Sequence, residues 1–354
     1  MYKSEKCDAS RRRSTMIVLC LAAVLLLAFL CLLTGSSRMS VKECLLALRG
    51  RGDAAAVRIV RQIRLPRVLA AVIAGAGLSL AGLIMQTVLS NPMASPATLG
   101  VSNAAVFGAN LSLLVFSGGS FITGGRTAPG LSIRDPFSVS LLAFLFAALS
   151  VLLILGLCRL RSFSPGVVVL AGIAMGSVWT AAANILQYYA TDVGLSAAVL
   201  WSFGDLGRAT YQTDRLMLIP VVLGLIFFLT VSWHLNALLS GDAEALSLGV
   251  NVGRLRFFAL LLSSLITAVC VSFLGIIGFV GIICPHIAKR LVGQDHRFSI
   301  PLSVLLGSLL LLVSDLLSRT IGRGASLPVG ALTALFGAPF FIWIIFRRKE
   351  AGEC

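Results

Sequence analysis

Long stretches without a charged residue dominate the chain and predict membrane-spanning helices. A helix that crosses the hydrocarbon core of a membrane needs about 20 apolar residues. The stretch Val68–Gly125 is long enough for two such helices, and the stretch that begins at Phe257 stays apolar to about Leu291. The pattern predicts ten spans, near residues 16–34, 66–88, 97–116, 137–158, 166–190, 216–234, 257–274, 276–291, 299–319 and 328–346.

Two interruptions divide the longest apolar stretches. Residues 91–96 read Asn-Pro-Met-Ala-Ser-Pro, and Gly275–Gly278 brings two glycines close together. Because proline and glycine disfavour a continuous helix, both segments are expected to separate two spans. The first apolar stretch follows three arginines and is similar to a signal peptide in that respect. However, residues 16–34 exceed the apolar core of about 7–15 residues that a signal peptide has, so we interpret them as a retained span.

The composition places the protein among membrane proteins. Of the 354 residues, 58% are hydrophobic and 12% are charged, and the mean hydropathy is +0.97. A soluble domain carries about 25% charged residues. These figures exclude a soluble enzyme, a nucleic-acid-binding protein and a disordered scaffold, although the net charge is +15. We therefore expect an all-α polytopic membrane protein with one transmembrane domain over residues 16–346.

The distribution of basic residues predicts the orientation. Arginine and lysine precede the first span within tail 1–15 and follow the last span within tail 347–354, which places both termini in the cytoplasm. The connection between the first two spans then lies outside, although residues 38–67, which include the start of the second span, carry eight basic residues and two acidic ones. Three interpretations stay open: a misplaced topology, a solvated basic loop, or an external basic face that attracts an acidic partner or an anionic solute.

Chemical motifs are scarce. The sequence contains no GxxxxGK[ST] phosphate-binding loop and no HExxH zinc motif, and no Cys/His metal spacing occurs. We expect no catalytic residue, no metal site and no cofactor. Ionisable residues within the spans are nearly confined to His286 and Asp315, which weakens the case for an ion-coupled carrier without excluding it.

A series of short motifs runs along the chain. They are Gln62–Arg67, Met85–Thr87, Asn91–Ala94, Leu99–Asn103, Leu170–Ala174, Gly278–Gly281, Pro285–Ala288, Asp295–Arg297, Leu327–Gly330 and Gly337–Trp343. In order and spacing they resemble the FecCD-type permeases, the membrane subunits of ABC importers for ferric siderophores, haem and cobalamin. The resemblance covers residues 16–347 and implies a ten-helix bundle like that of the cobalamin importer permease, a type II ABC importer.

The resemblance also implies partners. Two permeases, either two copies or this chain and a paralogue, form a pathway along their shared interface within the membrane lipid. A cytoplasmic ABC ATPase dimer drives the pair, and an extracytoplasmic substrate-binding protein delivers the ligand. A ferric siderophore is the expected substrate, followed by haem and cobalamin, and no nucleic acid is involved. A stand-alone secondary transporter or channel is the alternative.

Three arginines at predicted outer span ends are candidates for docking the substrate-binding protein. Arg64 and Arg67 lie at the start of the second span and Arg319 lies at the end of the ninth. The resemblance implies that arginines at these positions receive acidic residues of the binding protein, and a guanidinium group can hold a carboxylate through two hydrogen bonds. The alternative is that each arginine only anchors its helix at the membrane interface.

The connection between the sixth and seventh spans is the expected contact with the ATPase. The resemblance implies a short coupling helix there, and the alternative is a plain amphipathic connecting helix. Asp242 is expected to cap the start of this helix and Gly249 to end it. The candidate coupling residues are Asp242, Glu244, Ala245, Leu246, Ser247, Leu248 and Gly249.

A cytoplasmic gate is expected before the fifth span. The resemblance places it at Ser162, Ser164 and Pro165, where small hydroxyl side chains and a turn suit a constriction. An ordinary helix start, with Ser164 as the N-cap and Pro165 at the first helical position, explains the same residues. The role of the glycine-rich loop 117–136 stays open.

Overall fold

The computed structural model describes residues 2–35, 39–116, 136–159, 164–321 and 326–350, and throughout these ranges the chain is helical or irregular, with no strand. The α-helices of these ranges are α1 Tyr2–Leu33, α2 Val41–Leu48, α3 Ala54–Arg58, α4 Leu65–Val88, α5 Val101–Leu111, α6 Pro136–Arg159, α7 Pro165–Tyr188, α8 Asp192–Ser202, α9 Tyr211–Thr230, α10 Ser232–Leu238, α11 Asp242–Ser247, α12 Val252–Leu274, α13 Val280–Val292, α14 His296–Ile321 and α15 Val329–Glu350.

Each of the ten predicted spans falls on a helical segment. In the described ranges, seven helices are long and apolar enough to cross a membrane, and three further apolar helices are shorter. The shorter ones are Val101–Phe116, Asp192–Ser202 and Val329–Phe340. Several leucines of α1 are largely exposed, as expected for side chains that face lipid. The observations confirm an all-α polytopic membrane protein; the number of spans stays a prediction.

The predicted break at residues 91–96 is present. α4 ends at Val88, and the Asn91 side chain accepts a hydrogen bond from the backbone N–H of Met93 at 2.9 Å, which stabilises a turn. The third predicted span, 97–116, is not one regular helix. It consists of a 3-10 turn Pro96–Leu99, helix α5 and a π-helical segment Ser112–Phe116. The positive φ of +70° at Gly100 separates the first two parts.

The break between the seventh and eighth predicted spans is also present. α12 ends at Leu274 and α13 begins at Val280, so residues 275–279 are not helical. Both Gly275 and Phe279 have positive φ angles, of +80° and +65°. Because a regular helix does not accommodate a positive φ, the two helices are separate elements.

Helix α8 was not among the predicted elements. It lies between the fifth and sixth predicted spans, and Thr191 caps it by accepting a hydrogen bond from the N–H of Gly194. At eleven residues it is too short for the apolar-length criterion. The threonine-aspartate pair at its start is the signal that a search for helix caps would have found.

The chain divides into two compact units. The first contains Met1–Leu83, Leu206–Asn236 and Ile277–Cys354, and the second contains Ile84–Asp205 and Ala237–Ile276. In the first unit, small residues bring α4 against α14 and α13. A Cβ atom added at Gly75 would lie 2.3 Å from the carbonyl oxygen of Gly307, and one added at Gly82 would lie 1.9 Å from that of Gly281. Ser79 adds a hydrogen bond to the Ser303 carbonyl at 2.7 Å, so close backbone packing and buried hydroxyls join these helices.

The second unit is built around α5, which packs against α6 and α7. An aromatic cluster fills part of this packing: the Phe107 ring meets Phe146 edge-on, with 4.9 Å between ring centroids, and Trp179 lies 5.4 Å from Phe107. The Trp179 indole N–H donates to the Ser150 hydroxyl at 2.9 Å, which satisfies its buried polar atom.

Candidate functional site

The three candidate docking arginines lie together in the first unit. Arg67 and Arg319 both donate to the carboxylate of Asp315, with 2.5 Å between Arg67 Nε and Asp315 Oδ1. Asp315 is completely buried, and the side chains of the two arginines are 10% and 9% exposed. We call Arg64, Arg67, Asp315 and Arg319 the arginine node.

The same arginines hold the end of α1. Arg64 Nη1 donates to the carbonyl oxygens of Leu32 and Leu33 at 2.8 and 2.9 Å. Arg319 Nη1 donates to those of Cys31 and Thr34 at 3.0 and 3.3 Å. The last carbonyl groups of a helix have no partner within the helix and form the negative end of its dipole. The arginine node therefore caps α1 and joins it to α14 and the start of α4.

The sequence singled out Asp315 as an ionisable residue within a span, but not as the partner of two candidate docking residues. The spacing of four between Asp315 and Arg319 on one helix is the local signal for half of this arrangement. The contact with Arg67 joins residues 248 positions apart in the chain, and no short-range pattern indicates it. The docking role of the three arginines stays a prediction.

The other basic residues of the connection between the first two predicted spans differ in exposure from the arginine node. Lys42, Arg49, Arg51, Arg58 and Arg61 are exposed, and Arg38 lies outside the described residues. Arg61 donates through Nε to the Leu48 carbonyl at 3.2 Å. A positively charged surface and a buried arginine cluster thus belong to the same unit.

The candidate coupling residues form helix α11 and the turn that follows it. The expectation that Asp242 caps the start of this helix is wrong: the N-cap is Gly241, with φ of +117°, and Asp242 is the first helical residue. The reason is that both carboxylate oxygens of Asp242 accept from Arg256, at 2.7 and 2.8 Å, rather than from the N–H groups of the helix. Residues 241–250 are called the coupling segment below.

The end of α11 matches the prediction. Gly249 has φ of +82°, its N–H donates to Leu246 O, and the N–H of Val250 donates to Ala245 O. This pair of bonds is the Schellman motif that glycine favours after a helix. Ala245 and Val250 are buried, whereas Leu246 and Leu248 are 60% and 65% exposed. The coupling segment therefore presents two apolar side chains on its surface.

A hydrogen-bonded cluster precedes the coupling segment in the first unit. Asn236 Oδ1 accepts from the backbone N–H of His296 at 2.9 Å, and Asn236 Nδ2 donates to Asp295 at 2.9 Å. Burial opposes the charged form of Asp295, but the bonds from Asn236 and from the N–H of Arg297 prevail and lower its pKa below the usual value. The cluster ties α10 to the turn between α13 and α14, and the role of Asn236 was not expected from the sequence.

The candidate gate is only partly described. Ser162 lies outside the described residues, as does nearly all of the 117–136 loop. Ser164 is the N-cap of α7: its hydroxyl accepts from the N–H of Val167 at 3.4 Å, and Pro165 occupies the first turn. The helix-start interpretation is confirmed, and a gating role stays a prediction.

A groove of about 500 Å³ runs along α7 in the second unit. Gly172 and Gly176 lie opposite the 3-10 turn and Gly100; a Cβ atom at Gly172 would lie 2.7 Å from the Thr98 carbonyl oxygen. Asn103 donates to the Gly176 carbonyl at 3.2 Å and to the Thr180 hydroxyl at 3.1 Å. Among the residues that the structure describes, the groove lining contains hydroxyl and amide groups and no charged side chain: Ala97, Thr98, Gly100, Asn103, Gly172, Ile173, Gly176, Ser177, Thr180, Ala181 and Asn184.

Potential metal-ligating side chains are dispersed within the ranges that the structure describes. There, no three His, Cys, Asp or Glu side chains come together in a way that could hold a metal ion. The geometry consists instead of a buried arginine cluster, an exposed apolar pair on a short helix and an uncharged polar groove. These features suit the binding of partners and the movement of helices.

The chain is similar to known membrane transport proteins. The chain is 42% identical over 333 residues to an ABC transporter permease protein of Methanocaldococcus jannaschii, covering 94% of each chain. It is 37% identical over 302 residues to the hemin transport system permease of Yersinia pestis, covering 81% of this chain and 83% of the relative. A solved structure described as an inward-facing conformation of a metal-chelate type ABC transporter superposes with a TM-score of 0.81 at 29% identity, covering 94% of this chain and 99% of the other.

The FecCD transport family matches residues 23–347, which is nearly the whole chain. The motifs that the sequence shares with that family lie within this range, and the helical structure is that of an ABC transporter of the same kind. The chain therefore belongs to the FecCD transport family and is a multi-pass membrane permease of an ABC importer.

Proposed function

We propose that this permease carries an iron chelate across the cytoplasmic membrane, with a ferric siderophore as the first choice and haem next. The cobalt-containing cobalamin is the further candidate substrate. The observation that carries the proposal is the match to a hemin permease and to a metal-chelate transporter over most of the chain. The groove along α7 supports it, since a groove of about 500 Å³ has the size of sites that hold small organic ligands. Its uncharged hydroxyl and amide groups suit brief hydrogen bonds rather than tight ion pairs.

The proposal includes a second permease. α7 exposes the large apolar side chains of Leu170, Ile173, Val178 and Ile185 beside the polar groove. A second copy of this chain, or a paralogue, packed along α7 would enclose a pathway with polar walls. A homodimer is the simpler assembly because one gene product suffices.

Energy enters through a separate ATPase pair. The full sequence contains no phosphate-binding loop, so ATP binding belongs to another chain. The coupling segment is the proposed contact, because Leu246 and Leu248 expose apolar surface on a loop between two spans. An exposed apolar pair rimmed by polar residues is typical of a surface that a partner protein covers. Both termini and this segment are assigned to the cytoplasm.

The arginine node is the proposed seat of the substrate-binding protein. The node contains three guanidinium groups and one carboxylate, and only Arg67 and Arg319 are paired with Asp315, so the node has a formal excess of two positive charges. Such an excess favours the approach of acidic side chains. The contacts with α1 also mean that docking acts on groups that hold a helix end.

Reconstitution of the complete importer tests the proposal. The permease, its ATPase and its binding protein are placed in proteoliposomes, and uptake of a radiolabelled ferric siderophore, hemin or cobalamin is measured with and without ATP. ATP-dependent uptake of an iron chelate is expected, and a catalytically inactive ATPase is the control. Uptake that follows an ion gradient without any ATPase would overturn the assignment to an ABC importer. If only a solute other than an iron chelate is taken up, the proposed substrate class is wrong.

A further inference from the structure

Arg256, near the start of α12, joins its own helix to α11 and to Val88, all within the second unit. Its side chain is 6% exposed, and each of its three nitrogen atoms donates a hydrogen bond. Nη1 and Nη2 donate to the two carboxylate oxygens of Asp242 at 2.8 and 2.7 Å. Nε donates to the carbonyl oxygen of Val88 at 2.8 Å.

Each of these hydrogen bonds is made to a polar group at the end of a helix. Val88 is the last residue of α4, so no N–H group of the helix donates to its carbonyl oxygen. This oxygen lies at the negative end of the helix dipole. Asp242 is the first residue of α11 and is half exposed. The paired bonds between a guanidinium fork and a carboxylate fix both distance and direction, which a lysine ammonium does not do.

Within the part of the chain that the structure describes, few other contacts hold the coupling segment. α11 has six residues, its N-cap makes no side-chain hydrogen bond, and most of its side chains are exposed. An isolated helix of this length is unstable in water. Ala245 and Val250 supply a small buried contact, and the Arg256 bonds supply the fixed direction.

We propose that Arg256 is the positioning residue that passes movement of the coupling segment to the end of α4 and the start of α12. The proposal rests on the proposed function, because it assumes that the ATPase moves this segment. A displacement of α11 pulls on the Asp242 carboxylate, and the guanidinium group carries that displacement to Val88 and to α12. Loss of the fork geometry loosens the link while the ATPase contact at Leu246 and Leu248 stays intact.

The test compares transport with ATP hydrolysis in the reconstituted importer. Arg256→Lys keeps the charge and removes the fork, and Asp242→Asn keeps the shape and removes the carboxylate. In both variants, the amount of ligand carried per ATP hydrolysed is expected to fall by about tenfold. In Arg256→Lys, whose site lies outside the coupling segment, ATPase binding and hydrolysis are expected to persist. Arg254→Lys is the matched control, since Arg254 is exposed two residues away and its coupling should equal that of the wild type.

A double variant separates positioning from independent effects. If Arg256 and Asp242 act through one contact, the combined variant loses no more coupling than the worse single variant. Additive losses, or wild-type coupling in Arg256→Lys, would overturn the proposal. So would loss of folded permease in both single variants, since the bonds would then serve folding alone. If the wild-type importer carries no ligand at all, it is the proposed function that fails, and the two failures are thereby distinguished.

Discussion

The arginine node and the coupling segment both rely on an arginine–aspartate pair, but they differ in burial. In the arginine node, Asp315 is fully buried and serves two arginines. In the coupling segment, Asp242 is half exposed and accepts hydrogen bonds from one arginine of the described residues, Arg256. When a buried ion pair loses one member, the charge that remains is buried without a partner and carries a large desolvation penalty. A half-exposed carboxylate is partly solvated by water, so the loss of its partner costs less.

The difference separates residues that can be changed to probe function from residues that the fold requires. Reversing the charge at Arg64 would place a carboxylate against the carbonyl oxygens of Leu32 and Leu33, so lost docking could not be told from a damaged α1. The side chain of Leu246 is mostly exposed, so its replacement is not expected to disturb the fold. Conservative changes suit the arginine node, and drastic changes suit the surface of the coupling segment.

The largest effect is expected from Asp315→Ala. Removal of the only carboxylate of the arginine node leaves Arg67 and Arg319 buried without their counter-charge, and we expect a loss of about 3–5 kcal/mol in stability. Thermal unfolding of the purified permease in detergent measures it. Asp192→Ala is the control, because Asp192 is exposed at the start of α8 and its loss should cost less than about 1 kcal/mol. Equal unfolding temperatures in both variants would show that the node does not need its carboxylate.

The next effect is expected from Leu246→Glu. A charge on this exposed apolar position leaves the fold intact and weakens binding of the ATPase by about thirtyfold, as removal of an interface hot spot does. Co-purification and ATPase-binding titrations measure the change, with Leu246→Met as the conservative control. Ala245→Glu sharpens the comparison, since Ala245 is buried and its variant should disturb α11 itself. Normal binding by Leu246→Glu would place the ATPase elsewhere.

A smaller effect is expected when Arg67 and Arg319 are both replaced by lysine. The positive charge near Asp315 is kept, while the paired donors that a partner carboxylate would use are lost. The affinity for the substrate-binding protein is expected to fall by about tenfold, and the remaining binding should weaken as salt rises. Arg58→Lys, at an exposed arginine of the same unit, should bind as the wild type. If the double lysine variant binds normally, the arginines serve only α1 and α14.

The sequence predicted the helical regions well, because apolar length and glycine–proline interruptions are local properties. The break at 91–96 and the end of α11 at Gly249 are local in this sense, and both are confirmed. The third span was predicted as one helix, but the positive φ of Gly100 divides it. Apolar length does not report such a turn.

The candidate sites were harder to predict because their contacts join distant parts of the chain. Arg67 and Asp315 are 248 residues apart, and Arg256 and Val88 are 168 residues apart. The assignment of Asp242 as an N-cap followed the local rule, and a bond to Arg256 overrode it. Motif resemblance pointed to the right segments, whereas the partners of each side chain depend on tertiary packing.

The smallest effect is expected at Ser164, where two roles make different predictions. Ser164 caps α7, and aspartate caps a helix as well as serine does. If the residue only starts the helix, Ser164→Asp should carry ligand at the wild-type rate, while Ser164→Ala should lose about 1 kcal/mol of stability. We expect Ser164 to be part of a gate as well. The larger, charged carboxylate of Ser164→Asp then slows uptake by about threefold without lowering the unfolding temperature, because a fixed charge in a narrow passage binds water and repels like charge. Uptake rates in proteoliposomes and unfolding temperatures of the same preparations measure both quantities. Wild-type uptake by the aspartate variant would leave Ser164 with its capping role alone, and the constriction would then lie at another residue.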